Sequence, residues 1–150
     1  MNMPDQMLQE AQPPRRLQLW GAQVRLWPVL AGLLIVLFPF DWLSEVWPAF
    51  GRPFDLVFVN ARDHAIGHAT MFLLMSLLAL LSIPALRPRP ALYFGLMLLV
   101  GVGQETLQAF FKQAFPNIYA GRDLFFDLTG VTAAYLIVFT WRWLRKKLVG

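Results

Sequence analysis

Cysteine is absent from this 150-residue chain, so neither a disulfide framework nor a thiolate metal site can be built from it. Charge is scarce, at 15% of residues. The net charge of +4 is not carried on any run in which basic and aromatic residues interleave, which argues against nucleic acid as a partner. No nucleophile motif and no inverted repeat stand out, and the second absence argues against a transporter. What the chain has in quantity is apolar surface: 57% of residues are hydrophobic, above the roughly half of soluble domains. The mean hydropathy of +0.51 agrees. An all-α, polytopic membrane protein is predicted.

Crossing ~30 Å of hydrocarbon takes ~20 apolar residues at 1.5 Å rise per residue. Four stretches approach that length: about Leu26 to Phe40, broken by Pro28 and Pro39; about Ala65 to Ile83; Ala91 to Phe111; and Leu124 to Leu144. The first ~25 residues are polar and hold Pro4, Pro13 and Pro14, without a small-residue cleavage site after a short apolar core. A signal peptide is therefore not expected, and the first span is expected to stay. The chain divides into a polar N-terminal segment (1–25), a transmembrane domain (26–144) and a basic tail (145–150).

Of the 13 basic residues, nine fall on one side of such a bundle: Arg15, Arg16, Arg25, Arg87, Arg89, Arg142, Arg145, Lys146 and Lys147. Arg52, Arg62, Lys112 and Arg122 fall on the other. The positive-inside rule predicts a four-helix transmembrane bundle with both termini cytoplasmic, and an outer loop from Asp41 to Asp63. Trp42, Trp47, Trp141 and Trp143 read as interface anchors.

Three span ends then meet at the outer face, and the ionisable residues gather there. Asp63, His64 and His68 open the second span, Glu105 and Gln108 lie near the end of the third, and Asp123 and Asp127 open the fourth after Arg122. The inner halves of the spans hold nothing comparable. Rise per residue places His68, Glu105 and Asp127 at similar depth, within roughly 10 Å of the outer interface. Spacings of three and four put each pair on one helix face, and small residues at Gly101, Gly130 and Ala134 let those faces approach. The stretch "AFPNIYAGRD" (114–123) reads as a turn or short re-entrant loop that returns Arg122 over the cluster.

These residues resemble the VanZ-like membrane proteins. The likeness rests on "DHAIGHATMF" (63–72), similar to the family's Asp-Lys-x-x-x-His helix opening, on "QETLQ" (104–108), and on "GRDLFFDLTG" (121–130), similar to its Arg followed by Asp-x-x-x-Asn-x-x-Gly. It covers roughly residues 26–140 and falls on Asp63, His68, Glu105, Gln108, Arg122, Asp123 and Gly130. His64 stands where the family usually has Lys, Asp127 where it often has Asn, and Arg122 is directly adjacent to Asp123 instead of a few residues before it. The resemblance implies work on envelope lipid or a cell-wall precursor in a bacterial inner or plasma membrane, with lowered teicoplanin sensitivity in some members.

Function is favoured over pure structure, because a charge at mid-membrane costs about 2.5–3.5 kcal/mol and an interhelical hydrogen bond returns only about 0.6. As an enzyme, the site would act on a phosphate-bearing lipid headgroup. Glu105 or Asp127 would serve as general acid or base, His68 as proton shuttle, and Arg122 would hold the phosphate, with Asp123, Gln108 and Asp63 completing the substrate site. As a non-enzyme, the same residues would bind a headgroup without turnover. His64 and His68, four apart, could share an ion with Glu105 or Asp127, but the Glu of H-E-x-x-H is missing and His64 reads better as a solvated helix-start residue. No metal and no cofactor are expected, and the oligomeric state is left open.

Overall fold

The computed structural model describes residues 15–113 and 118–149, with side chains placed over 26–113 and 121–148. The first part of the polar segment (1–14) and the Pro116 part of the expected turn (114–117) lie outside the described residues. Six α-helices follow in order: α1 (Arg15–Leu37), α2 (Phe40–Val46), α3 (Pro48–Val57), α4 (Ala61–Ser82), α5 (Pro90–Phe111) and α6 (Ile118–Val149). A 3₁₀ turn, Pro84–Leu86, joins α4 to α5, and no strand occurs among the described residues.

Three segments are long and apolar enough to cross a membrane: Ala61–Ser82, Pro90–Phe111 and Gly121–Leu148. Leu26–Leu37 and Phe40–Val46 pass the same test together but meet at 51°, which makes them a broken fourth span or a re-entrant pair. Leu74, Leu81, Leu99, Ile137 and Phe139 stand exposed around these helices. A multi-pass protein in lipid presents such a surface, whereas a soluble monomer rarely does.

The core runs between α4, α5 and α6, with α1 packed on its side. Phe72, Met75, Ala79 and Leu80 of α4, Tyr93 and Met97 of α5, and Val131 and Ala134 of α6 are buried there. The α4–α6 contact is the most extensive, and Gly130 permits it. A Cβ on Gly130 would press into the Ala69 carbonyl oxygen and stand 2.9 Å from the Leu73 nitrogen, so only hydrogen fits between the two backbones.

Three helix starts have a local cause. Asn60 is extended and its side-chain oxygen accepts from the Arg62 and Asp63 N–H groups, while the Asp63 carboxylate accepts from the Asn60 N–H. This reciprocal box starts α4. Pro48 and Pro90 occupy first turns, where their missing N–H is not needed. After α5, Gln113 takes the left-handed φ of 52° that commonly ends a helix.

The helices depart from the expected boundaries in three places. Pro28 does not break the first span: α1 runs through it, because one lost ladder bond is tolerated within a membrane bundle. The break expected at Pro39 is present: α1 ends at Leu37 and α2 begins at Phe40. The Asp41–Asp63 loop contains two helices, and along α3 and its C-cap the rings of Phe50, Phe54 and Phe58 pack tilted against one another, four residues apart, at 5.5 and 4.6 Å. The stretch expected as a turn before the fourth span is helical from Ile118, so Gly121, Arg122 and Asp123 lie on α6. At the other end of α6 the basic tail continues the helix through Lys146 and Lys147, where Arg145 and Lys147 stand over Trp141 and Trp143.

Candidate functional site

Three helices deliver one group each to a common point. His68 lies two turns into α4, Glu105 six residues before the end of α5, and Asp127 nine residues into α6. At 1.5 Å per residue His68 and Glu105 are therefore about 10 Å from their helix ends and Asp127 about 13 Å from its own. The His68 Nδ1 and Asp127 Oδ1 atoms are 2.9 Å apart and share a hydrogen bond whose direction depends on the imidazole tautomer. One ring nitrogen or carboxylate oxygen from each of His68, Glu105 and Asp127 lies within 4.8 Å of the other two. A Cβ on Gly101 would sit 3.4 Å from Asp127 Oδ2 and 2.8 Å from Leu124 Cδ1, so the bare backbone of α5 makes room for the acid.

The cluster is buried at Asp127, half-buried at His68 and Glu105, and only partly satisfied. Asp127 is 1% exposed and Gln104 2%. Among the described residues, Asp127 Oδ2, Glu105 Oε1 and Gln104 Oε1 have no hydrogen-bond partner, nor do Asp123 Oδ1 and Arg122 Nε a helix turn away. Native interiors hold few such atoms, and each asks for a reason. Among the described residues, the only ion-pair partner within 4 Å of Asp127 is His68, and Glu105 has none.

Beside this point opens a cavity of about 650 Å³, a size that takes a drug-sized or lipid-sized group. Phe50, Phe54 and Phe58 of the α3 segment and Ile66, Met71 and Leu74 of α4 make its apolar wall, while His68, Gln104 and Gln108 face it from the polar side. The combination suits an amphipathic molecule: an apolar body against the rings and a polar end against the imidazole and the two amides.

No protein-family model, characterised protein or solved structure matches the chain. What the site can do therefore rests on its own geometry.

The expected site residues divide into two groups. His68, Glu105 and Asp127 converge, and Gln108 and Asp63 join His68 on the cavity lining, with Asp63 also capping α4. Arg122 lies elsewhere. Its Nη2 donates to the Ala61 carbonyl at 2.9 Å, and the side chain borders a separate depression with Arg62, Ala65 and Phe126 on the α4–α6 flank. Asp123 is 3.9 Å from Arg122 Nε and is not among the cavity-lining residues. His64 is also displaced from the cluster's centre: its Nδ1 is 3.9 Å from Asp41 at the rim, with its ring stacked on Phe58 at 5.2 Å.

Two participants are absent from the sequence-based set. Gln104 continues the buried stripe of α5, Tyr93, Met97, Gly101 and Gln104, and the spacings of four, four and three are the signal that marks it. Lys112 just beyond α5 reaches Asp41 at 2.9 Å and Glu45 at 3.1 Å and so ties α2 to the rim. Burial works against the Lys112 charge, but the hydrogen bonds and attraction of Asp41 and Glu45 outweigh it and raise its pKa above the ordinary lysine value.

Proposed function

We propose that this chain is a VanZ-like, multi-pass protein of a bacterial inner or plasma membrane, a four-span bundle with both termini cytoplasmic. Its outward end binds or acts on a phosphate-bearing lipid or lipid-linked envelope precursor. The observation that carries the reading is the placement of the His68, Glu105 and Asp127 cluster beside an aromatic-walled cavity, at the end of the bundle away from the basic tail. That division of charge favours an outward site by the positive-inside rule.

In the catalytic form, Asp127 holds the His68 ring through Nδ1, and the second ring nitrogen carries a proton to or from the headgroup. Glu105 supplies the second acid or base. Gln104 and Gln108 orient polar headgroup atoms while Phe50, Phe54 and Phe58 cover the chain. Arg122 has no place in this version, because it is engaged at Ala61 on another face. Altered teicoplanin sensitivity is a cellular consequence of such lipid work. The alternative function is headgroup binding without turnover.

The test is a mass-spectrometric comparison of total envelope lipids and lipid-linked precursors from cells making the wild type or Glu105→Gln at matched membrane levels. A species that appears or vanishes only with the wild type supports catalysis and names the substrate. Identical profiles remove the catalytic reading and leave binding, to be measured by headgroup association and glycopeptide sensitivity.

A further inference from the structure

We propose that His68, Glu105 and Asp127 form a binding site for a divalent metal ion of the Zn²⁺ or Mn²⁺ class, with a coordination position open toward the cavity. The donor set has the right chemistry: one imidazole nitrogen and two carboxylates suit borderline first-row ions. The His68 Nδ1 to Asp127 Oδ1 separation of 2.9 Å and the 4.8 Å limit over all three donors bracket the spacing a small ion requires. Adjacent ligands with bonds of 2.0–2.1 Å on a tetrahedral ion lie roughly 3.3 Å apart. The unbranched Glu105 side chain has the rotamer freedom to close the remaining gap.

Charge gives the second argument. Two carboxylates within a membrane bundle have no lysine or arginine paired to either among the described residues and share one imidazole, which can offset at most one of their charges. In the deprotonated form that metal ligands take, the set would carry −2, which one divalent ion cancels. Independent of the acids, Gln104 is 2% exposed, lines the cavity, and leaves its Oε1 without a partner, an oxygen placed to accept from a metal-bound water or ligand. Three protein donors are the count at which zinc sites keep a position free for water or substrate. The ion would also supply the positive charge that Arg122, on its separate flank, does not bring to a phosphate. That last step rests on the lipid reading, whereas the metal site rests on the cluster alone and, when filled, replaces the proton-transfer roles given to these three side chains above.

The experiment uses the full chain in lipid nanodiscs, stripped with EDTA and titrated with ZnCl₂ or MnCl₂, with bound metal counted by inductively coupled plasma mass spectrometry. The expected result is one ion per chain in the wild type, at least about ten-fold weaker binding in Glu105→Gln and Asp127→Asn, and unchanged binding in His64→Asn. X-ray absorption of the zinc-loaded wild type, which needs no variant to fold, should show light N/O ligands with a single imidazole. Folded wild type without a stoichiometric ion, full occupancy in both carboxamide variants, or two imidazoles on the zinc each overturns the site. In the Mn²⁺-loaded protein, selective broadening of ³¹P signals from added phosphatidylglycerol, lost in Asp127→Asn, joins the ion to lipid phosphate. A bound ion without that broadening leaves the metal site standing and counts against the phosphate reading.

Discussion

The same three helices build two regions of opposite character. Toward the basic end, α4, α5 and α6 enclose Phe72, Leu80, Tyr93 and Val131, and the polar groups there find partners. The Tyr93 hydroxyl donates to the Val131 carbonyl at 2.8 Å, Arg87 Nε to the Leu80 carbonyl at 2.7 Å, and the Tyr135 hydroxyl to the Arg87 carbonyl at 3.3 Å. Ser76 Oγ is the one exception among the described residues. Toward the other end, Gln104, Glu105 and Asp127 are brought together with oxygens left open. The first region is organised as a fold is organised. The second spends stability, because each buried or half-buried carboxylate oxygen left without a partner costs free energy that packing elsewhere must offset.

The greatest disruption is expected at the seam between the two. Gly130→Val should prevent α4 and α6 from closing and abolish both regions, seen as loss of the monodisperse species on size exclusion in mild detergent. Gly95→Val, as its control, has nothing within 4 Å of the new Cβ and should change stability by less than about 0.5 kcal/mol. Tyr93→Phe removes one bond from the satisfied region and should lower unfolding free energy by about 0.6–1 kcal/mol, with lipid and metal binding unchanged. If Tyr93→Phe instead impaired binding, the two regions would not be separable.

The mildest change belongs to the rim. Lys112→Gln should cost about 0.5 kcal/mol, the size of a partly exposed ion pair, and loosen α2 as read by hydrogen exchange. Because the folded pKa of Lys112 is raised, its pairing contributes fully below the ordinary lysine pKa and is lost as pH rises through the higher folded value. A loss of α2 protection above pH ~10.4, beyond the intrinsic base-catalysed rise in exchange, should therefore occur in the wild type and be absent from Lys112→Gln. Equal pH dependence in both proteins would remove Lys112 as the cause.

Much of this organisation is legible in the sequence. The expected spans 91–111 and 124–144 lie wholly within helices and 65–83 runs one residue past the end of α4, since length and hydropathy decide a span with little help from context. His68, Glu105 and Asp127 can be placed at one depth because rise per residue is fixed. Rotation about the helix axis is less accessible. The side on which Arg122 falls depends on α6 being helical from Ile118, and Gly121 hides that start by resembling a turn. The α2 and α3 helices are hard to read because each is short and Pro53 interrupts the pattern, although Phe50, Phe54 and Phe58 repeat every four residues. Gln104 is masked by its charged neighbour, yet in this bundle the buried amide carries as much positional information as the acid.

Thermal unfolding of wild type and Asp127→Asn in metal-free, chelator-containing nanodiscs distinguishes a ligand site from a structural lock at the acid cluster. The variant keeps the shape and the ability to accept from His68, so its midpoint should equal or exceed that of the wild type. A midpoint lower than that of Tyr93→Phe would make the His68 and Asp127 pair a structural lock instead.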